Sequence, residues 1–304
     1  MDAGSYSRTD SDFMSHGSRC SGWLYVPSGI HKAPVVVMAH GFGAEKTFGL
    51  DWYASRFAEN GLAVYVFDYR NFGGSDGQPR NLVDPKRHNE DWLNALAHVR
   101  WLPQVDPQRI GLWGTSFSGG HVIVTAASDQ NVRAIVSQVP FVDGLASLVG
   151  YRPGFVIKAL WAGFRDLARV AMSRPPYTVP VIGRPDQFAV MNGEDAWDGY
   201  MALVPKDAHV TNQVPARILL RVGSYRPIKY APRVNCPCLM MVADQDRYIP
   251  VKAVLRTADR MPRVEVIRRP VGHFDIYQGE EFEMAVHRQT EFFLEHLEGG
   301  VHAT

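Results

Sequence analysis

Short runs of consecutive apolar residues recur along this chain, and they alternate with segments in which apolar residues stand three or four positions apart. The first pattern is typical of strands buried on both faces, and the second is typical of helices that pack on one side. Four of the runs cover Val35 to Ala39, Ala63 to Phe67, Ile110 to Trp113 and Val132 to Val139. Strands that alternate with helices in this way predict a mostly parallel sheet with helices on both faces.

Two of the intervening segments carry helix signals at their ends. Phe48 to Glu59 has helical spacing and stops at Asn60-Gly61, a favourable C-terminal pair. Asp84-Pro85 opens the second segment, because aspartate caps a helix and proline suits its first turn. Both segments are therefore predicted to be helices.

The alternation of strands and helices stops at Phe141 and returns after Asn235. The segment between them is rich in proline, arginine and aromatic residues, with a helical pattern from Phe155 to Met172. The alternation then resumes with a strand at Leu239 to Val242, a helix at Val251 to Met261, a strand at Val264 to Ile267 and a helix at Glu280 to Leu297. We predict an α/β core domain of residues 1–140 and 236–304, with residues 141–235 inserted as a mainly helical lid.

Composition and charge exclude several classes of protein. The 304 residues, 46% of them hydrophobic, are enough for a large core, and the net charge of +1 provides no basic footprint for nucleic acid. No apolar run approaches the ~18 residues of a membrane span, and the polar first 21 residues do not resemble a secretion signal. We expect no nucleic-acid partner, no membrane span and a cytoplasmic location.

The three cysteines predict neither a disulfide framework nor a metal site. Their number is odd, and Cys236-Pro237-Cys238 is too short for a zinc pair and lacks an accompanying histidine or cysteine cluster. No metal is expected.

Residues 110–120, Ile-Gly-Leu-Trp-Gly-Thr-Ser-Phe-Ser-Gly-Gly, are the most informative segment for chemistry. An apolar run ends at Gly114, Ser116 follows, and helical character begins soon after, which predicts a strand, a sharp turn and a helix with the serine at the apex. A serine held there has a strained backbone and needs small residues two positions before and after it. Gly114 fills the first of these positions, and Ser118 stands in the second in place of the usual glycine.

Two other interpretations of this segment remain open. A glycine- and serine-rich turn between a strand and a helix can occur without any chemistry. Ser118 is the rival nucleophile, with Gly120 two positions after it, although it would lie deeper in the helix. We favour Ser116.

A nucleophilic serine needs a base and an acid that orients the base, and both are expected just past later strands. His273 directly follows the last predicted strand and has a glycine before it. Asp246 lies in the loop after the strand at Leu239 to Val242, where it can face the imidazole. Asp244 is the alternative acid, although it could instead cap the following turn.

A third loop is placed to complete the site. His40-Gly41-Phe42-Gly43 follows the strand that ends at Ala39. The backbone N–H groups of Phe42 and Phe117 are predicted to bind a developing oxyanion. His40 is assigned a structural hydrogen-bonding role rather than that of a base.

With these pieces in order, the chain resembles the α/β-hydrolase superfamily along nearly its whole length. The matching marks are His-Gly-Phe-Gly at 40–43, Asp-Tyr-Arg-Asn-Phe-Gly-Gly-Ser-Asp-Gly at 68–77, Gly-Thr-Ser-Phe-Ser-Gly-Gly at 114–120, Asp246 before Pro250, and Gly-His-Phe at 272–274. Residues 113–121 and 272–280 further resemble a branch of bacterial serine esterases that includes monoalkyl phthalate ester hydrolases, and fungal polyketide acyltransferases share related motifs. The resemblance implies the α/β-hydrolase fold.

Residues and resemblance together predict a serine hydrolase of the carboxylesterase type. Ser116, His273 and Asp246 would cleave esters of small to medium organic molecules through an acyl-serine, without an organic cofactor or a metal. The expected partner is a small-molecule ester, and the oligomeric state stays open. Two alternatives remain, an acyltransferase that uses the same acyl-enzyme and a non-catalytic ligand-binding protein with the same fold.

The insertion is expected to cover the site and to choose the substrate. Its aromatic residues predict an apolar pocket, with only a minority of them touching substrate: Trp161, Phe164, Tyr177, Phe188, Trp197, Tyr200 and Tyr225. A carboxylate-bearing substrate could meet Arg165, Arg174, Arg221 or Arg226, although a solvated surface position is expected for each.

Overall fold

A central sheet and the helices that flank it hold most of the chain. The computed structural model describes residues 5–149, 151–208 and 210–297. In chain order its strands are β1 (Tyr6–Asp10), β2 (Phe13–Ser15), β3 (Ser18–Cys20), β4 (Gly22–Pro27), β5 (Ala33–Ala39), β6 (Ala63–Phe67), β7 (Val105–Thr115), β8 (Ala134–Gln138), β9 (Thr178–Val179), β10 (Val214–Pro215), β11 (Cys238–Ala243) and β12 (Val264–Arg269). Its α-helices are α1 (Leu50–Glu59), α2 (Pro85–Val99), α3 (Phe117–Ser128), α4 (Gly144–Leu148), α5 (Pro153–Ala171), α6 (Ala196–Met201), α7 (Ile218–Arg221), α8 (Val251–Ala258) and α9 (Gly279–Leu297).

Eight of the strands in the described ranges form one sheet in the order β1-β4-β6-β5-β7-β8-β11-β12. The six strands from β6 to β12 in that order run parallel, whereas β4 and β1 continue the sheet antiparallel at one edge. Every residue of β5, β6, β8 and β11 is buried, as expected for strands covered on both faces. The prediction of a mostly parallel sheet is confirmed.

Helices cover both faces of this sheet. α9 packs on β5, β7 and β8 with α1 beside it, whereas α3 packs on β7 and β8 from the other face with α2 beside it. Within the ranges that the structure describes, no helix is both long and apolar enough to cross a membrane.

Most elements lie where the apolar pattern predicts them. β6 has the predicted bounds, and the predicted cap of α2 is present, because Asp84 accepts a hydrogen bond from the backbone N–H of Lys86 at 3.0 Å. α1 begins at Leu50 rather than at Phe48. The reason is Gly49, whose φ of 74° is left-handed and cannot continue into a right-handed helix.

Strands β1, β2 and β3 lie in a part of the chain where the apolar pattern predicts no strand. β1 carries mostly polar, exposed side chains and is held by its antiparallel pairing with β4. Because such an edge strand depends on backbone hydrogen bonds and gains little from burial, it leaves no apolar pattern in the sequence.

Residues 141–235, called the insertion below, connect β8 to β11 and contain α4 to α7 with the small β9–β10 pair. Buried Asp166 ties α5 to the rest of the insertion, since it accepts hydrogen bonds from Arg217 Nε at 2.6 Å and from the backbone N–H of Tyr177 at 2.9 Å. Gly163 permits a close helix contact, because a Cβ there would lie 2.5 Å from Leu220 Cγ. These helices and the short β9–β10 pair are the regular elements of the insertion, and its action as a lid stays a prediction.

Removing the Asp166 carboxylate should destabilise the protein strongly, because Arg217 would keep its charge in a largely buried position. We expect Asp166→Ala to lower the free energy of unfolding by about 3 kcal/mol, as for other broken buried ion pairs. Glu194→Ala is the matched control, because its pair with Arg247 is solvent-exposed and should contribute far less to stability. Urea unfolding measures both, and equal losses would contradict the structural role of Asp166.

Candidate active site

Ser116 occupies a strained turn between β7 and α3. Its backbone has φ 56° and ψ −119°, a conformation that residues other than glycine rarely adopt. The turn closes tightly, since a Cβ on Gly114 would lie 2.3 Å from the carbonyl oxygen of Ser118. Backbone hydrogen bonds hold it on both sides, from Ser116 N–H to Gln138 at 2.9 Å and from Phe141 N–H to Ser116 at 2.8 Å. The predicted strand, sharp turn and helix are present.

Ser118, the rival nucleophile, points away from the cavity beside Ser116. It is fully buried, and its hydroxyl accepts a hydrogen bond from Tyr69 Oη at 3.1 Å. Tyr69 Oη accepts in turn from Trp92 Nε1 at 3.0 Å. Ser118 therefore belongs to a hydrogen-bonded layer beneath the turn.

A continuous hydrogen-bonded relay joins Ser116 to His273 and Asp246. His273 Nε2 lies 3.1 Å from Ser116 Oγ, and His273 Nδ1 lies 2.6 Å from Asp246 Oδ2. The second Asp246 oxygen accepts hydrogen bonds from the backbone N–H of Tyr248 at 2.8 Å and of Ile249 at 2.9 Å, which fixes the carboxylate. The His273 and Asp246 side chains are 3% and 4% exposed, so the relay is shielded from water.

Asp244, the alternative acid, lies elsewhere. Its Oδ1 accepts a hydrogen bond from Arg268 Nε at 2.9 Å, on a solvent-exposed edge formed by the ends of β11 and β12. The structure thus brings Asp246, and not Asp244, to His273.

Phe42 and Phe117, the two residues whose backbone amides are predicted to form an oxyanion hole, line the same cavity as Ser116. Phe117 is the first residue of α3, so its N–H has no acceptor within the helix. The chain after β5 passes directly over Ser116, because a Cβ on Gly41 would lie 3.3 Å from Ser116 Cβ. This close approach places Phe42, the next residue, beside the serine.

His40 is buried next to this loop without touching Ser116. Its Nδ1 donates to the carbonyl of Gly41 at 3.0 Å, and its Nε2 lies 3.8 Å from Asp68 Oδ1. Burial lowers the pKa of His40 to about 4, so the ring is neutral near pH 7. This arrangement agrees with a structural role.

Two apolar cavities meet at Ser116 and His273. The larger has a volume of about 110 Å³, and its lining includes Phe117, Phe141, Leu148, Tyr151, Phe155, Ala159, Val190, Met191, Leu219 and Val222. The smaller has a volume of about 40 Å³ and is lined in part by Phe48, Leu50, Tyr53, Tyr200 and Leu203. A substrate could therefore extend to both sides of the serine.

Most of the lining was not identifiable from the sequence. Of the seven aromatic residues named in the insertion, only Tyr200 lines either cavity, whereas Tyr151 and Phe155 do so without having been singled out. None of the four arginines considered for a substrate carboxylate lines them. Arg221 and Arg226 instead pair with Asp84 and Asp143.

The rest of the described chain offers no obvious metal centre. Among the residues described, no group of three His, Cys, Asp or Glu side chains is arranged to hold a metal ion, and the three cysteines are unpaired.

Comparison with known proteins agrees with this architecture. The model of the family described as "Alpha/beta hydrolase family" matches residues 36–285. The chain therefore belongs to the alpha/beta hydrolase family.

Particular relatives narrow the class of reaction. The quorum-quenching protein AidA of Acinetobacter baumannii is 41% identical, over 93% of each chain. The thiohydrolase aneE of Aspergillus aculeatus is 31% identical over 93% of this chain and 91% of its own. The crystal structure of the alpha/beta hydrolase GrgF from Penicillium has a TM-score of 0.82 and 25% identity, and covers 96% of this chain and 99% of its own. The family and these relatives support a hydrolytic or acyl-transfer activity.

The strained turn predicts an unusual effect of glycine at position 116. Ser116→Gly should be more stable than Ser116→Ala by about 1 kcal/mol, because only glycine adopts a positive φ without steric cost. Thermal or urea unfolding of the two variants measures the difference, and neither variant keeps the hydroxyl.

Position 168 is the matched control, since Ala168 is an exposed residue within α5. There Ala168→Gly should lower stability by about 1 kcal/mol, as glycine does inside helices. If glycine were less stabilising than alanine at position 116 as well as at position 168, the result would contradict backbone strain at Ser116.

Proposed function

We propose that this chain is a serine hydrolase that cleaves carboxylic esters of small to medium, largely apolar molecules. The observation that carries the proposal is the relay from Ser116 Oγ through His273 to Asp246, located where two apolar cavities meet. Three such groups in hydrogen-bonding order are the arrangement that activates a serine hydroxyl at neutral pH.

In the proposed mechanism, Ser116 Oγ attacks the ester carbonyl while His273 Nε2, 3.1 Å away, accepts its proton. Asp246 holds the imidazole with Nε2 directed to the serine and stabilises the imidazolium. The backbone N–H groups of Phe42 and Phe117 would stabilise the oxyanion. His273 then protonates the leaving alcohol, and a water molecule, deprotonated by His273, releases the acid from the acyl-serine.

The cavity lining supports an uncharged, apolar substrate. The larger cavity is lined by apolar residues such as Phe117, Phe155 and Met191. Among the described residues, no lysine, arginine, aspartate or glutamate lines it. A charged acyl or alcohol group would lose its hydration there without gaining a partner. We therefore favour esters with aliphatic or aromatic groups on both sides of the carbonyl.

The insertion supplies much of this lining, which supports its action as a lid that selects substrates. Phe155 and Ala159 reach the larger cavity from α5, and Tyr200 reaches the smaller one from α6. The core supplies the nucleophile, base and acid from the loops after β7, β12 and β11. Chemistry and specificity would thus reside in different parts of the chain.

Acyl transfer from the same acyl-serine to an alcohol or amine is the second candidate function. The apolar lining restricts water near Ser116, and a polyketide transferase, grgF of Penicillium, is 26% identical over 98% of this chain. The ratio of free acid to transferred product, measured in a mixed pool of acceptors, decides between the two functions.

Replacing the nucleophile should abolish activity without unfolding the protein. We expect Ser116→Ala to lower kcat/KM for nitrophenyl esters on the order of 10³-fold or more, because the members of such a relay act as a unit. Labelling by a fluorophosphonate reagent should disappear with the activity. Ser118→Ala is the matched control and should keep its labelling, since its hydroxyl bonds only to Tyr69 among the described side chains. Loss of labelling in Ser118→Ala alone would move the nucleophile to Ser118, and no labelling of the wild type would favour a non-catalytic binding protein.

The two aspartates of the β11 loop should differ sharply. We expect Asp246→Asn to lower kcat on the order of 10³-fold, because the amide cannot hold the required histidine tautomer. Asp244→Asn should stay within about twofold, since Asp244 contacts Arg268 at the surface. Steady-state kinetics on one ester measure both variants, and similar losses would show that the relay does not depend on Asp246.

A further inference from the structure

Helix α5 exposes an apolar face to solvent. Six large apolar side chains on one side of the helix are each 37% to 67% exposed: Val156, Ile157, Leu160, Trp161, Phe164 and Leu167. Their spacing of three and four residues aligns them along a single stripe. Contiguous apolar surface on this scale is uncommon in a monomeric soluble protein and marks an interaction site.

Cations border this stripe, and carboxylates are missing from it. Lys158 and Arg165, seven residues apart, lie along one flank of the stripe, and Arg152 and Arg174 are exposed near the two ends of α5. Residues 144–176 contain five lysines and arginines and one acidic residue, Asp166, which is buried against Arg217. Among the described residues, no carboxylate lies within ion-pair distance of Lys158 or Arg165.

We infer that α5 is an interfacial helix that docks this protein on the surface of an anionic lipid assembly. An apolar stripe containing Trp, Phe and Leu beside a basic flank is the pattern of helices that lie in the plane of a membrane surface. The stripe would enter the acyl region, and Lys158 and Arg165 would meet the phosphates.

The charges beside the stripe favour an anionic lipid surface over a second copy of the chain as its partner. A symmetric dimer brings the same surface patch together from both subunits. On this face Lys158 and Arg165 would meet apolar side chains or each other, with no carboxylate to pair with. An anionic lipid surface supplies the missing negative charge.

The position of α5 connects this face with the larger cavity. Phe155 and Ala159, on the inner side of α5, line that cavity. Leu148 and Tyr151, just before α5, also line it and are themselves partly exposed. The apolar surface therefore continues from the stripe to the rim of the cavity, so docking would bring that rim close to the lipid.

Flotation with vesicles tests the inference without any substrate, so its result does not depend on the proposed ester hydrolysis. Vesicles of equal parts phosphatidylglycerol and phosphatidylcholine should carry the wild-type protein, and vesicles of phosphatidylcholine alone should carry much less. Raising the salt concentration should weaken the binding, because the cations contribute through screened attraction.

Two variants separate the apolar and the ionic contributions. Ile157→Ser/Phe164→Ser and Lys158→Glu/Arg165→Glu should each weaken binding to the anionic vesicles tenfold or more. Trp101→Ser is the control, because Trp101 is 87% exposed but lies just before the amino end of β7, whereas the insertion follows the carboxyl end of β8. It should bind as the wild type does. Thermal unfolding confirms that the variants are folded.

Three results would overturn the inference. The wild-type protein would fail to float with the anionic vesicles, both double variants would bind as well as the wild type, or phosphatidylcholine vesicles would bind equally well. A wild-type dimer that Ile157→Ser/Phe164→Ser converts to a monomer, without vesicle binding, would assign the stripe to a second copy.

Discussion

The backbone of Ser116 is the constraint on which the arrangement of the site depends. A positive φ at a residue with a side chain costs free energy, and the surrounding structure must hold it. It does so with close contacts at two glycines: a Cβ on Gly114 would clash with the carbonyl of Ser118, and a Cβ on Gly41 would crowd Ser116 Cβ at 3.3 Å. Because those contacts come from the end of β7 and the loop after β5, the parallel sheet fixes the serine relative to the amides of Phe42 and Phe117.

A neutral hydrogen-bonded layer supports the turn from below. Tyr69 donates to Ser118, and on the same helix His121 Nδ1 lies 2.5 Å from Tyr225 Oη of the insertion. Burial lowers the pKa of His121 to about 3, and it also lowers the pKa of neighbouring His88, so both rings are uncharged. Serine at position 118, where the family pattern has glycine, fits here because its buried hydroxyl accepts a hydrogen bond from Tyr69. The layer also links α3 to the insertion without burying a charge.

Local signals in the sequence predicted the parts of this molecule that depend on local chemistry. Continuous apolar runs identified the buried strands, Asp84-Pro85 identified a helix start, and the small residues around Ser116 identified the turn. Features that arise from distant partners left no such signal. Asp244 bonds to Arg268 and Asp246 bonds to His273, partners more than twenty residues away in the chain. Asp166 likewise pairs with Arg217, 51 residues further along the chain. Tyr151 and Phe155 line the larger cavity because the fold of the insertion brings this segment to the cavity beside Ser116.

The insertion is built on a different principle from the core. Every residue of β5 and β11 is buried, so these strands tolerate little change and keep the loops that follow them in place. α5 buries only Ala162, Gly163 and Asp166, and most of its apolar side chains face solvent or the cavity. Such a helix can vary in sequence without disturbing the relay at Ser116. Such a division fits a family whose members are named as a quorum-quenching protein, a thiohydrolase and a polyketide transferase, because a constant core with a variable insertion can serve several reactions.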